Sequence, residues 1–373
     1  MKNTIRILCA VLAMAMLMTG CTMPKIVLPG TPDVAVTTSN GQSMSTGEYL
    51  AHLYLNFEQM YSSILSYQQS GKDPWTDKDA QLPYENENGE TVNLDLETYL
   101  IRASQDIIKQ RLAIEKIIAD NNLTVNAEDA KLVDEDLATM GENAYLPAGI
   151  SNENFIKTYK SLSLDWDTAF FGLYGAGGPK AVAETEIRNY FDTNYLSYKI
   201  IEVSLTKSEK DAEGKTKTVP LSADEKAAEL KKLNEYLTIN NTQGFEAAMD
   251  ASKKATAQEG TTVEPSTDAQ NRINNDATTM DAKLVAAIRS VDVGSAKIVE
   301  YGGDDAANPT TAALIVRLDI NSPAELYTDS VKAILNTLKG EEFNKQVEEL
   351  VAATTYTFNA KVEKKCSPKN FAE

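Results

Sequence analysis

The chain has 373 residues, 42% of them hydrophobic, and carries 36 basic against 54 acidic side chains, a formal net charge of −18. A surface this acidic disfavours binding to nucleic acid and to anionic lipid headgroups. The length is sufficient for two modest hydrophobic cores, so the fold must be stabilised mainly by burial.

The first twenty residues have the pattern of a secretory signal. Two basic residues precede an uncharged apolar run, Ile7–Met18, which is too short for a convincing membrane span. The run ends in LMTGC, where small residues stand before Cys21. This ending is similar to bacterial lipoprotein signals. We therefore predict removal of residues 1–20, lipidation of Cys21, a tether over residues 21–32, and an extracytoplasmic location on the cell membrane.

The cysteines give no basis for a disulfide. Cys9 lies in the signal and Cys21 is the predicted lipidation site, which leaves Cys366 in a polar C-terminal segment. Because the mature chain offers no partner thiol, Cys366 is expected to be a free cysteine without a functional role.

Helical periodicity dominates the N-terminal half. A short strand over residues 33–41 closes at an Asn-Gly turn, and Ser45 is placed to cap the helix that follows. Residues 71–93 are polar and predict a loop. Further apolar stripes, including one through Trp166 that is typical of a helix core, predict four more helices: residues 94–121, a helix from Asn126, a helix from Ser151 to Gly175, and residues 180–195.

The period changes at YKIIEVSL, residues 198–205, which alternates as a β-strand does. Ile201 and Val203 point to one side of this strand, and Ile200 and Glu202 to the other. The segments that follow are, in order, a charged loop, a helix with a Ser222–Glu225 capping box, a short helix near Phe245, a polar loop or mobile segment at 253–279, a helix at 280–290, strands at 297–301 and 312–320, and a helix started by Ser322 and Pro323.

The terminal helix has an apolar face on each half, interrupted at Gly340, and both faces must be buried. We therefore predict an α+β, mainly α fold, in which a helical domain built from both chain ends contains an inserted mixed domain. The expected boundaries are 33–195 for the helical domain, 196–321 for the inserted domain, 322–360 for the returning helix and 361–373 for a polar tail.

This order of elements resembles extracytoplasmic foldases of the PrsA and SurA type over nearly the whole mature chain. NGQSMSTGEYL at 40–50 and KIIADNNLTVNAEDAKLVDEDL at 116–137 are similar to their helical-domain elements, and residues 196–320 to a parvulin domain. The resemblance implies a helical chaperone domain that binds unfolded proteins. It also implies a PpiC-type, parvulin-like α/β domain, which in that family turns X-Pro bonds.

The polar catalytic positions of that family are not conserved in residue type here. The first histidine falls near Glu202, within 199–203, and the second near Leu314; neither is histidine. The position of the family's Cys or Asp falls near Lys253 or Lys254. We therefore expect the domain to have kept its fold and lost its catalytic residues.

Two apolar positions do match. Met280 and Leu284 correspond to residues of the family's proline pocket and are the expected remnant of it. The only histidine in the chain, His52, lies on the first predicted helix, outside the inserted domain, and is expected to be structural.

Three functions remain open from the sequence. The first is a membrane-anchored chaperone or foldase that binds unfolded secreted or envelope proteins without isomerase activity. The second is a divergent peptidyl-prolyl isomerase that works through Met280, Leu284 and backbone groups. The third is an envelope adaptor that holds one folded partner. No cofactor, metal or nucleic acid is expected in any of them, and the long helical faces would allow a homodimer.

Overall fold

The computed structural model describes residues 31–86, 88–140, 150–211, 213–258, 261–303 and 308–371. The chain divides into two compact units. The first contains the described residues up to Ala181 together with those from Asn336 onward, and the second is Val182–Leu335. The α+β, mainly α fold class predicted from the sequence is confirmed. The predicted signal peptide and Cys21 lie outside the described residues.

The first unit is built mainly from helices, with short strands at both of its chain ends. Its elements are β1 (Val34–Thr38), β2 (Ser43–Ser45), α1 (Thr46–Gln69), β3 (Gln81–Glu85), β4 (Thr91–Asp95), α2 (Leu96–Asp120), α3 (Ala127–Met140), α4 (Asn152–Tyr174), the C-terminal part of α10 (Glu325–Ala353), β11 (Tyr356–Phe358) and α11 (Ala360–Lys365).

The predicted helix starts are confirmed where a side chain caps them. Ser45 forms a capping box with Glu48 at the start of α1. Ser151 accepts a hydrogen bond from the Asn154 backbone at the start of α4. Each cap satisfies backbone N–H groups that the helix itself leaves without partners.

The core of the first unit lies between α1, α2 and α4 and extends to the C-terminal segment. Beside it, Trp166 stacks on Phe170 with ring centroids 4.7 Å apart and meets Phe343 of α10 edge-on at 5.5 Å. Since Phe170 and Phe343 are fully buried, this stripe is part of a packed interior, as its helical spacing indicates.

The second unit combines a four-stranded sheet with helices on each face. Its elements are α5 (Glu184–Asn194), β5 (Tyr195–Ser204), β6 (Thr206–Lys210), β7 (Thr216–Pro220), α6 (Ala223–Gln243), α7 (Phe245–Thr256), α8 (Asp268–Asn271), β8 (Ile273–Asp276), α9 (Ala282–Arg289), β9 (Ala296–Tyr301), β10 (Thr311–Leu318) and the N-terminal part of α10.

The sheet has the strand order β8-β5-β10-β9, with antiparallel pairs throughout. Helices α6 and α7 cover one face, against Ile201 and Leu314. Helix α9 covers the other, against Tyr198 and Ile315. We refer to these two sides as the α6/α7 face and the α9 face. The alternation predicted for residues 198–205 is confirmed by this arrangement.

Two segments predicted as loops are β-hairpins. In the 71–93 segment, β3 pairs with β4, and the Tyr84 hydroxyl donates to Asp106 of α2 at 2.6 Å. In the charged segment after β5, β6 pairs with β7 around Asp211, whose side chain accepts backbone hydrogen bonds that close the turn. The β6–β7 hairpin is largely exposed and polar, so it lacks the hydrophobic alternation by which strands are recognised. The β3–β4 hairpin does alternate, and its prediction as a polar loop overlooked the half-buried Leu82, Tyr84, Val92 and Leu94 that stand between exposed residues.

Two expectations about the later helices are wrong. The last helix begins at Glu325, so Pro323 precedes it and does not form its first turn. The same helix passes through Gly340 without interruption, because packing outweighs the ~1 kcal/mol by which a glycine disfavours a helix interior. The segment 253–279 also contains more structure than a loop, including α8 and β8.

The segment predicted as a polar tail, 361–373, is folded as far as residue 371. Strand β11 pairs with β1, with Val36 opposite Phe358, and thereby joins the two chain ends in one sheet. Val362 and Cys366 are completely buried beyond it. The apolar residues of this segment, Val362, Cys366 and Phe371, lie along a short helix and a turn. They pack into the same hydrophobic core as α1.

Candidate functional site

The α9 face of the second unit contains three of the positions at which the sequence resemblance places an isomerase site, namely Glu202, Met280 and Leu284. Its central residue is Glu202 on β5. The Glu202 side chain is exposed, and its carboxylate accepts a hydrogen bond from the hydroxyl of Tyr301 at the end of β9. Burial of the Tyr301 ring and the adjacent carboxylate raise the pKa of Tyr301 above its usual range. Tyr301 therefore remains a neutral donor to Glu202 at ordinary pH.

The structure does not bring the two expected histidine positions together. In the register of β5 with β10, Glu202 lies opposite Ala313, and Leu314 lies opposite Ile201. Paired residues share a face of the sheet and consecutive residues alternate. Leu314 therefore points into the α6/α7 core, where it is fully buried. Groups at 202 and 314 cannot converge on one peptide bond, whereas Ile201, also within the expected range 199–203, lies directly opposite Leu314.

The apolar residues proposed as a pocket remnant do lie on the same face as Glu202. Leu284 of α9 is buried, with 6% of its surface exposed, and Met280 packs half-buried against the same cluster. Between Glu202 and β9 lies Ala313, whose side chain ends at the Cβ atom. The face thus combines an apolar floor with a carboxylate and a phenol, and its polar groups differ from those expected of an isomerase.

Lys253 and Lys254 lie elsewhere. Both are on α7, which packs on the α6/α7 face. The Lys253 ammonium donates to the Ser266 hydroxyl at 2.7 Å. This contact fixes the segment that leads to α8 and gives Lys253 a structural role.

His52, on α1 of the first unit, is 2% exposed. Its Nε2 atom lies 2.8 Å from Nη1 of Arg111 on α2. Because a guanidinium can only donate, Nε2 must accept, so the imidazole is neutral with its proton on Nδ1. Burial, reinforced by the charge of Arg111, lowers the pKa of His52 well below its usual range. The structural interpretation of His52 made from the sequence agrees with this geometry.

Arg111 is the centre of a buried group of charges. Its guanidinium contacts Glu48 at 3.1 Å and Glu115 at 2.8 Å, and Lys157 reaches Glu48 at 3.0 Å. Burial raises the pKa of nearby Asp165 to about 6, although a hydrogen bond from Ser161 acts in the opposite direction. These groups join α1, α2 and α4 through paired charges, which is how buried ionic groups are normally tolerated.

Sequence reasoning missed Tyr301 as a partner of Glu202. The two residues are far apart in the chain, and only the β9-β10-β5 pairing brings them onto one face. A tyrosine at the end of the predicted strand KIVEY was the one available signal. Over the described ranges, no group of three His, Cys, Asp or Glu side chains is arranged to hold a metal ion. No helix in those ranges is long and apolar enough to cross a membrane.

Comparison with known proteins gives structural similarities only. No protein-family model matches the chain, and no curated protein matches it. Three crystal structures of the foldase PrsA are similar to it. The Streptococcus pneumoniae structure is 14% identical over 73% of this chain and 93% of that one, with a TM-score of 0.33. The Lactococcus lactis structure is 10% identical over 86% and 91%, with a TM-score of 0.34.

The third, from Bacillus subtilis, is 14% identical over 72% of this chain and 89% of that one, with a TM-score of 0.26. The chain therefore resembles PrsA foldase structures over most of its length, at low identity and low structural overlap. This is the resemblance that the sequence motifs predict.

Proposed function

We propose that this protein is a lipid-anchored extracytoplasmic folding factor that binds unfolded secreted or envelope proteins and has no prolyl isomerase activity. The observation that carries the proposal is the α9 face of the second unit. There the sheet and α9 frame an apolar patch. The polar groups beside this patch are Glu202 and its hydrogen-bond donor Tyr301, and not the histidines expected of an isomerase.

The argument against isomerase activity is energetic. Rotation of an X-Pro bond meets a barrier of ~18–20 kcal/mol, and an isomerase must stabilise the twisted amide more than the planar one. The twisted amide nitrogen carries a localised lone pair that a hydrogen-bond donor would stabilise. The Glu202 carboxylate can only accept, and the Tyr301 hydroxyl is already donated to it. Met280 and Leu284 supply contact area, which binds planar and twisted amides about equally and so leaves the barrier unchanged.

A chaperone needs no precise set of residues. Partly exposed apolar side chains rimmed by charge bind extended chains with broad specificity. The net charge of −18 keeps the complex soluble by mutual repulsion. The membrane attachment follows from LMTGC and Cys21, so a client would be met close to the membrane surface, at the end of a tether of at most ~35 Å.

The test is a pair of assays on the chain from residue 22 onward. The first follows cis–trans isomerisation of a proline peptide by coupled proteolysis, and the second follows aggregation of a reduced, unfolded client. We expect aggregation to be suppressed and isomerisation to stay at the uncatalysed rate. Accelerated isomerisation would support the divergent isomerase, with Met280 and Leu284 as the next residues to change. Absence of both activities would favour the adaptor that holds one folded partner.

A further inference from the structure

One part of the α9 face combines two carboxylates that lack a basic partner with half-buried apolar side chains. It is formed by Ile200, Glu202, Met280, Asp281 and Val299, and we refer to it as the Glu202 surface. Ile200 precedes Glu202 by two residues on β5, so both point to the same side. Val299 lies on the same side in β9, two strands away, in the row that contains Glu202 and Ala313.

Within the described part of the chain, neither carboxylate has a basic partner. Among the described residues, Glu202 is hydrogen-bonded only to the Tyr301 hydroxyl. Asp281 caps α9 by accepting from the backbone of Lys283 and Leu284, at 2.8 and 3.1 Å, and its charge also acts on Tyr301. Two carboxylates are thus arranged around one phenol.

Other carboxylates of the same unit are paired. Glu300, the neighbour of Val299 on β9, points to the α6/α7 face and contacts Lys226 at 2.6 Å. Glu225 contacts Lys207 at 2.7 Å. Glu202 thus differs from Glu300 and Glu225, whose charges basic side chains contact directly.

We propose that the Glu202 surface binds extended client segments in which a lysine or arginine adjoins apolar side chains. This inference rests on the proposed function and names the class of segment that this face would take. The long apolar stem of a lysine or arginine can lie along Ile200 while its charged head reaches the Glu202 carboxylate on the same strand. The neighbouring apolar residues of the client would then contact Val299, two strands away, and Met280.

The Tyr301 hydroxyl occupies one oxygen of Glu202 and holds the carboxylate over the face. The second carboxylate oxygen is left for the client's cation. Because Tyr301 already holds the Glu202 side chain in place, binding the cation need not order that side chain further. Because Glu202 is exposed, the gain is that of a solvent-exposed ion pair, which corresponds to an affinity change of about two- to fivefold. The gain should decrease as the salt concentration rises, since salt screens exposed charges.

The experiment uses the lipidated full protein in detergent and two fluorescent, unstructured peptides that differ at one position. One carries Lys between apolar residues and the other carries Gln there. We expect the Lys peptide to bind about two- to fivefold more tightly at low salt, with the difference lost at high salt. Glu202→Gln should abolish the difference, and Glu202→Lys should reverse it.

The control is Glu235→Gln, which removes an exposed carboxylate from α6, the helix on the opposite side of the sheet, where it lies 3.9 Å from the Lys231 ammonium. It changes the net charge by the same amount and should leave the Lys preference intact. Equal binding of the two peptides by the unchanged protein, or a Lys preference that survives in Glu202→Gln, would overturn the inference. In that case suppression of aggregation would persist, whereas failure of the proposed function would abolish peptide binding and suppression together.

Discussion

Replacement of His52 by glutamine should remove an acid sensitivity from the first unit. The imidazole is buried and accepts a hydrogen bond from Arg111, so it must be neutral in the folded state. Burial and the Arg111 charge hold the pKa of His52 well below its usual range. The unfolded chain, in contrast, takes up the proton with the ordinary pKa of about 6.5.

The sign of the effect follows from proton linkage. Below about pH 6.5 the unfolded state binds a proton that the folded state refuses, so the free energy of unfolding decreases by about 1.4 kcal/mol per pH unit. Between about pH 8 and pH 5 the loss amounts to about 2 kcal/mol. The glutamine carbonyl in His52→Gln can still accept from Arg111 but does not titrate, so the variant should lack this loss.

The assay is urea unfolding followed by tryptophan fluorescence. Both tryptophans of the chain, Trp75 and Trp166, belong to the first unit and report its unfolding. His52 is the only histidine, and the opposite contribution of Asp165 is present in both proteins and cancels in the comparison. The difference in free energy between the two proteins should change by about 2 kcal/mol over this range. A difference that does not vary with pH would refute the reasoning.

Three further predictions concern single side chains. Burial raises the pKa of Asp165 to about 6 from 3.8, so the free energy of unfolding decreases as pH rises between these two values and stays lowered above about 6. Asp165→Asn should therefore stabilise the first unit by at most about 3 kcal/mol near pH 8 and by little near pH 4, as measured by the same urea titration. A destabilised variant at pH 8 would contradict this. Burial raises the pKa of the Cys366 thiol to about 11 from 9. A disulfide reagent should therefore modify Cys366 at least ~100-fold more slowly in the native mature protein than in denaturant. Equal rates would show that the thiol is accessible. Cys21→Ser should abolish incorporation of labelled fatty acid and release the protein from the membrane fraction, while retention with label would place the lipid elsewhere.

Local signals in the sequence were sufficient for the helix starts that a side chain caps, although not for the last helix, which begins after Pro323. The boxes Ser45–Glu48 and Ser222–Glu225 each involve residues three positions apart, and both are present in the structure. Such caps depend on neighbouring backbone groups alone, so the sequence contains all the information they need.

Exposed strands and long-range pairing could not be predicted in the same way. The β6–β7 hairpin is held by its backbone ladder and the Asp211 turn, and its side chains show no apolar alternation. The pairing of β11 with β1, which orders the segment around Cys366, joins residues from opposite ends of the chain. Neither feature leaves a periodic pattern in the sequence.

The candidate site was predictable in its composition and not in its geometry. The absence of histidine near 202 and 314 is visible in the sequence, and so are Met280 and Leu284. The pairing of Glu202 with Ala313, which separates it from Leu314, is set by the register of two strands distant in sequence. A shift of one residue would have reversed the conclusion.

The most direct test of the central claim is NMR exchange spectroscopy on an unfolded client peptide that contains an X-Pro bond, recorded with and without the protein. Binding shifts or broadens the peptide signals, and the cis–trans exchange rate is obtained from the same sample. The account predicts altered signals with an exchange rate equal to that of the free peptide. Exchange that accelerates with protein concentration would contradict it, because the α9 face would then lower the rotational barrier without histidine.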